Sequence, residues 1–562
     1  MRREASVVNK KVCSFPILFA LLTLLIGTCA VVFPASAQPA PTSTGSITVS
    51  GTVASSYDAY QIFSANVVDG DSDAKIATDL AWASDAVRDA VLPVLHSAGM
   101  PKSQTTAQEA AEWLNADSHL TSALSAQLAR SLQSSDAVSV ALNAGTAAEL
   151  PCGYWLIVAD DDAIAQGEVG TAPIMALVGG SAATVKPKAA TPKVAKHVLE
   201  DSTAAWQKAA DATVADDLYW RLSATVPAGL TAYDTYTVRF VDTMSAGLDP
   251  SKVAASMRVY VAAGADGGFD AVQTGKDGRA STDPAKGWTD ITAQCATKVA
   301  ADGTFTVRTG DLIAALGGAD AFTAGARVVA VYNAPLNSAC NHGIAKGNPN
   351  EVYLRYPRSP FADQSGDAGF TRTPSDDACA YTWDLALTKR GSDGDKPLAG
   401  AVLSITDDRG RTLAADGTWD VEGKATVTTG EDGRVTVSSV DSGKLEVREL
   451  KAPKGYTAFE GTRSVTVKAE GLDVDQVAAA MPKLTITAES PLRADSADGS
   501  TGSLEASLIN TPTGTPPSIT TGGFMPSTGD MAMYAAAAAA VAGAALIVVA
   551  LLVKRGGGSH KE

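Results

Sequence analysis

The feature that most constrains this chain is a succession of short runs in which β-branched, aromatic and aliphatic residues alternate with polar or small ones, punctuated by Gly and Asp-Gly turns. TPKVAKHV, YDTYTVRFVDTMSAGL, MRVYVAAG, GTFTVRT, ARVVAVYNAPL and NEVYLRYP succeed one another in a block at 189–360. DLALTKRGSDGDKPLAGAVLSITD, KATVTTGEDGRVTVSSV, KLEVREL, RSVTVKA and SLEASLIN fill another at 380–510. A period of two turns one face of each strand to a core and the other to water. Both blocks are therefore expected to be β-sandwiches of immunoglobulin-like type, and the chain as a whole mainly β.

The block at 45–188 reads differently. It opens with strand-like SITVSGTV and AYQIFSANVV and closes with GYWLIVAD and PIMALVGG. Between them, from about Ala77 to Leu132, Leu80, Val87, Val91, Leu95, Leu120, Leu124, Leu128 and Leu132 recur at helical spacing, with Pro93 and Gly99 as expected breaks. An α+β N-terminal domain is predicted, a sheet carrying a helical insertion. At about 100–200 residues per domain, a chain of 562 residues has room for three such units.

The ends carry targeting patterns. Residues 1–37 read as a secretory signal, with Arg2, Arg3, Lys10 and Lys11, an apolar run to Phe33 and the cleavage triplet Ala35-Ser36-Ala37. Residues 531–553 are uncharged and apolar, long enough for a transmembrane helix, and Lys554-Arg555 open the basic tail 554–562. Ahead of that span, within 511–530, the spacer TPTGTPPSITTGG leads to Met525-Pro526-Ser527-Thr528-Gly529. Pentapeptide, apolar span and basic residues in this order resemble the LPxTG sorting signal of Gram-positive surface proteins, with Met525 in place of Leu. The resemblance implies that a sortase cysteine attacks the carbonyl of Thr528 and passes the acyl chain to an amine.

A net charge of −16 repels phosphate backbones and argues against a nucleic-acid partner. Five histidines, with no HExxH, GxSxG or GxxxxGK[ST] motif, leave a turnover enzyme little to work with. Asp69-Gly70-Asp71-Ser72-Asp73 starts like a calcium loop, but Ala74 stands where Gly is required and Leu80 where the bidentate Glu belongs. Cys152, Cys295, Cys340 and Cys379 remain after signal removal, and none has CxxC spacing; with His342 alone nearby, no metal site is expected. Outside the cell the cysteines are expected to pair. Cys295 with Cys340 is favoured because both lie in one proposed domain, which leaves Cys152 with Cys379.

KPLAGAVLSI, EDGRVTV and LEVRELKAPKGY in the last block closely resemble the CnaB-type domain of Gram-positive pilins and adhesins, the last stretch being similar to the pilin E-box YxLxExxAPxGY. The middle block resembles the fimbrial isopeptide (CnaA-type) domain, through its PxVxKxV opening, VRFVDTMSAGL and GNPNEVYLRY. Together these stretches look like a sortase-assembled major, or backbone, pilin.

The resemblance implies an amide between a Lys of the first strand and an Asn of the last, assisted by a buried carboxyl group. The matching residues are Lys196, Asp242 and Asn350 in the middle block and Lys389, Glu449 and Asn510 in the last. Lys193 and Asn348 are alternatives to Lys196 and Asn350. Lys196 alternates with Val194 and Val198, which places the three on one strand face. Val185-Lys186-Pro187-Lys188 resembles the pilin VxxPK motif, making Lys188 the acceptor of the sorting-signal threonine, with Lys186 the runner-up.

The resemblance thus implies a structural and adhesive subunit, not an enzyme and without cofactor, joined head to tail to copies of itself and passed to peptidoglycan. Sortase, minor pilins and a host or bacterial surface receptor are the further implied partners. The competing expectation is a single wall-anchored adhesin, or a minor pilin at tip or base.

Overall fold

The computed structural model describes residues 43–514 apart from 52, 72–73, 117–118, 188–190, 215, 229 and 265–286. Signal, sorting pentapeptide, apolar span and Lys188 lie outside the described residues. Among the described residues no helix is long and apolar enough to cross a membrane.

The described chain is mainly β, in successive two-sheet units. In the first, Thr44–Val49 lies between Ala147–Pro151 and Ala183–Val185, and a larger sheet runs in the order Lys75–Trp82, Ser56–Asp69, Gly153–Ala159, Ile174–Val178. Helices α1 (Asp85–Ser97), α2 (Ala107–Asn115) and α3 (Ser122–Gln133) cover one face. Val87, Val91, Leu95, Leu124, Leu128 and Leu132 join Ile62, Phe63 and Leu156 in one core. Each helix starts at a side-chain cap, Ser84, Thr106 or Thr121, and Thr106 forms a reciprocal capping box with Glu109.

Two local expectations shift. Leu80 belongs to a strand, and Pro93 sits inside α1 without ending it. The carbonyl that Pro93 leaves without its helical N–H is that of Asp89, on the exposed side of the helix. Gly99, just past α1 at φ +113°, marks the true stop.

The second unit packs a six-stranded sheet on a seven-stranded one. The six strands run Ala205–Gln207, Val194–Glu200, Tyr219–Thr225, Arg327–Asn333, Arg258–Ala262, Trp288–Asp290. In the other sheet Asn348–Pro357 lies between Asp376–Tyr381 and Arg239–Met244, so its pairing continues past residue 360 to Tyr381. Trp220, Tyr236, Phe240, Phe305, Tyr332 and Tyr356 fill the space between the sheets.

In the third unit the first strand, Trp383–Gly391, pairs in parallel with the last, Ser503–Pro512. The opposing sheet is centred on Val402–Thr406, Gly443–Lys451 and Thr462–Glu470. Leu385, Leu387, Leu403, Val437, Val447, Val465 and Leu508 form its core.

Candidate functional site

Each of the second and third units holds a cluster of buried lysine, carboxyl and asparagine side chains in its apolar interior. In the second unit, Val194–Glu200 carries Lys196 inward from one sheet. The neighbouring strands Arg239–Met244 and Asn348–Pro357 carry Asp242 and Asn350 inward from the other, where Met244 pairs with Asn350 and Asp242 with Val352. All three side chains are fully buried. Lys196 Nζ contacts Asp242 Oδ2 and donates to Tyr332 Oη at 2.9 Å. Asn350 Nδ2 also donates to Tyr332 Oη, at 2.9 Å, and that hydroxyl in turn lies 3.2 Å from Asp242 Oδ2. Tyr332 is thus the hub of the group.

Burial lowers the Lys196 ammonium to about 8, with Asp242 opposing the shift. Burial raises the Asp242 carboxyl to about 6, with Lys196 opposing. Charged forms lose solvation in such a site, and each group offsets only part of its partner's loss. The Trp220 and Tyr332 rings wall the amine, each with its centroid 5.5 Å from Nζ. Asp242 Oδ1 and Asn350 Oδ1 have no hydrogen-bond partner among the described residues. An unsatisfied buried oxygen is costly.

The third unit reaches a similar chemistry by another route. Lys389 and Asn510 project from adjacent parallel strands of one sheet, and Glu449 meets them from the sheet opposite. Lys389 Nζ contacts Asn510 Oδ1 and lies 3.3 Å from Glu449 Oε1. Asn510 Nδ2 donates to Glu449 Oε1 at 2.9 Å, and Phe459 N to Oε2 at 3.1 Å. Burial lowers the Lys389 ammonium to about 8, against the pull of Glu449.

The alternatives are placed elsewhere. Lys193 is exposed. The Asn348 amide accepts from Asn341 N and donates to the carbonyls of Asn341 and Ala380, closing the preceding loop. Lys186 is exposed just beyond Ala183–Val185.

The expected Cys295–Cys340 disulfide is corrected: all four described cysteines are unpaired. Cys295 Sγ donates to Ile291 O at 3.3 Å inside its own turn, whereas the Cys340 thiol faces His342. Sharing a domain does not bring two thiols to bonding geometry.

Sequence reasoning missed Tyr332. Its only signal is its place in ARVVAVYNAPL, two residues beyond Ala330 and four beyond Val328, both buried on the same face. Lys208 was missed as well; its buried amine bonds the Lys196 carbonyl at 2.8 Å and pairs with Asp376.

Residues 384–479 match the family model for the SpaA prealbumin-like fold domain. The trypsin-resistant surface T6 protein of Streptococcus pyogenes serotype M6 is 31% identical over 143 residues, which is 24% of this chain and 24% of that relative. The chain thus spans about a quarter of the length of the curated relative it matches. Among solved structures, the T6 backbone pilin of serotype M6 Streptococcus pyogenes aligns at 17% identity and TM-score 0.46, covering 84% of this chain and 98% of that one. The full-length major pilin SpaD from Corynebacterium diphtheriae aligns at 16% identity and TM-score 0.41, covering 85% and 100%.

Proposed function

We propose that this protein is the backbone subunit of a covalently polymerised surface pilus, and that its second and third units each close an internal Lys–Asn amide. The observation that carries this reading is the pair of buried groups, Lys196 with Asp242 and Asn350, and Lys389 with Glu449 and Asn510. A buried lysine, a carboxyl group and an asparagine are a poor way to stabilise a core, since each must be desolvated. They are a good way to make a bond.

Depressed basicity increases the share of neutral lysine amine, which attacks Cγ of the asparagine. The Nζ–Cγ bond forms, the Cγ–Nδ2 bond breaks, and the carboxyl group carries a proton from Nζ to the departing nitrogen, which leaves as ammonia. In the third unit Glu449 Oε1 already touches both nitrogens involved. Proximity inside a preformed sandwich replaces a bimolecular encounter, an effect of about 7–11 kcal/mol in favourable cases. No cofactor enters, and each domain turns over once.

In the polymer, Thr528 of one subunit is joined to Lys188 of the next by a sortase that reads Met525 to Gly529. This head-to-tail contact does not close on itself and so gives a fibre. The last subunit passes to peptidoglycan, and minor pilins and a surface receptor complete the partners of an adhesive shaft. The family-model match over 384–479 and the local likeness to a streptococcal surface protein support this reading.

The test is the intact mass of the folded extracellular part, which is expected to fall by ~17 Da for each amide formed with loss of ammonia. A mass equal to the unmodified formula overturns the internal bonds. Intact bonds without polymer in producing cells favour a single wall-anchored adhesin or minor pilin.

A further inference from the structure

The loop that joins Arg327–Asn333 to Asn348–Pro357 holds a second reactive constellation, unrelated to the amide sites. Gly343 N donates to Thr382 O at 3.0 Å and Ile344 N to Gly499 O at 3.1 Å, which fastens this loop of the second unit onto the third. The docking brings His342 against the start of the strand Trp383–Gly391. There His342 Nδ1 lies 3.0 Å from Asp384 Oδ1, a close contact without hydrogen-bond geometry, and that oxygen also accepts from Ser439 N at 3.2 Å. On its other side, His342 Nε2 lies 3.7 Å from Cys340 Sγ. Thiol, imidazole and carboxylate therefore adjoin in that order, with the two ring nitrogens near different partners.

This order has chemical content. When Nε2 takes the thiol proton the sulfur is left as thiolate, the nucleophilic form of cysteine. Burial, with Asp384 adding to it, holds the isolated Cys340 thiol up, so the resting group is S–H and its reactivity runs through His342. Cys295 offers the contrast within the same unit. It is the more exposed thiol, yet it donates to a backbone carbonyl and burial pushes it up to about 11.

We propose that Cys340 is a modification site for low-molecular-weight disulfides, with His342 as its base and Asp384 as a positioning residue. His342 Nε2 takes the proton from Cys340 Sγ, and the sulfur attacks one sulfur of the small disulfide. A Cys340 mixed disulfide forms, the original S–S bond breaks, and the departing thiolate takes up the imidazolium proton. No external oxidant is required beyond the disulfide itself. The inference does not depend on the pilus reading.

The test treats the purified protein with oxidised glutathione, quenches in acid and follows each cysteine by peptide mass across pH. Cys340 is expected to be modified about 10-fold or more faster than Cys295, the scale of a positioned base. The pH midpoint of its rate should fall below that of Cys295. His342→Gln should remove the advantage and raise the midpoint at Cys340 alone, and Asp384→Asn, which leaves the ring without its neighbour, should reduce the rate advantage of Cys340 and leave Cys295 unchanged. A Cys340 that reacts no faster than Cys295, or whose midpoint in the unsubstituted protein is not the lower of the two, overturns the proposal, whether or not the substituted chains fold.

Discussion

Lys389 and Asn510, 121 residues apart, meet side by side on parallel strands, and the lysine amine donates to the asparagine oxygen inside the core. The geometry differs from the second unit, where Lys196 reaches across from the sheet opposite Asn350. In both units the proposed amide would tie an early strand to a late one. Tension applied at the two ends of such a unit would pass through the covalent link before it reached the hydrogen bonds of the sheets.

Glu449→Gln retains the size of the side chain and removes its capacity to carry a proton. The expected product lacks the Lys389–Asn510 amide, so it weighs one ammonia more than an amide-closed chain of its own sequence, and keeps the second-unit bond. Losing a cross-link over a loop of this length should cost about 4–5 kcal/mol on the loop-closure scale used for disulfides. Intact mass and chemical denaturation read the two effects separately.

Tyr332→Phe leaves the ring packed against Phe305 and removes the hydroxyl shared by Lys196, Asp242 and Asn350. The cross-linked peptide containing Lys196 and Asn350 should then accumulate about 10-fold or more slowly, as for loss of a group that orders a proton transfer. The Lys389–Asn510 peptide, in another domain, should form at the parental rate. Time-resolved peptide mapping of newly folded protein checks both.

The strands were legible because alternation survives in a single sequence, and Lys196 was legible because a lysine in step with Val194 and Val198 must face the core with them. Tyr332 was not, since a buried tyrosine in a strand looks like any other core aromatic until its hydroxyl is seen among three polar side chains. Lys208 and Asp376 escaped for a different reason: they pair over 168 residues, a separation that no local pattern records. The cysteines misled because an extracellular setting argues for pairing in general, while the Cys340 thiol faces His342 on its own loop and Cys295 donates inside its own turn. Pro93 misled because its cost in a helix depends on whether the carbonyl four residues earlier reaches water.

Lys188→Arg retains charge but offers no amine to an acyl-enzyme. Cells carrying this substitution should lose the high-mass ladder in detergent gels while the monomer remains folded and both internal amides form. Lys186→Arg, two residues away on the exposed stretch beyond Ala183–Val185, should leave the ladder intact. An unchanged ladder in the first variant and its loss in the second would move the acceptor to Lys186.

Asn350→Ala prevents the second-unit amide and leaves Lys196 facing Asp242, so their titrations act on stability directly. Asp242 is raised from 3.8 to about 6 on folding. The folded chain then binds the extra proton more tightly, and the stabilisation present below the lower value is lost as pH rises through about 6. Lys196 is lowered from 10.5 to about 8. Its contribution is present above the higher value and is lost as pH falls through about 8. Between those two folded-state values both groups are charged and dry, so the variant's contribution from this pair should pass through a trough there, rising toward acid and toward base. If the parent's lysine is held as an amide, the parent has no ammonium there to titrate and should lack the alkaline rise. Urea denaturation of both proteins across pH distinguishes them: a variant curve that parallels the parent's above pH 8 would mean that Lys196 is not held as an amide in the parent.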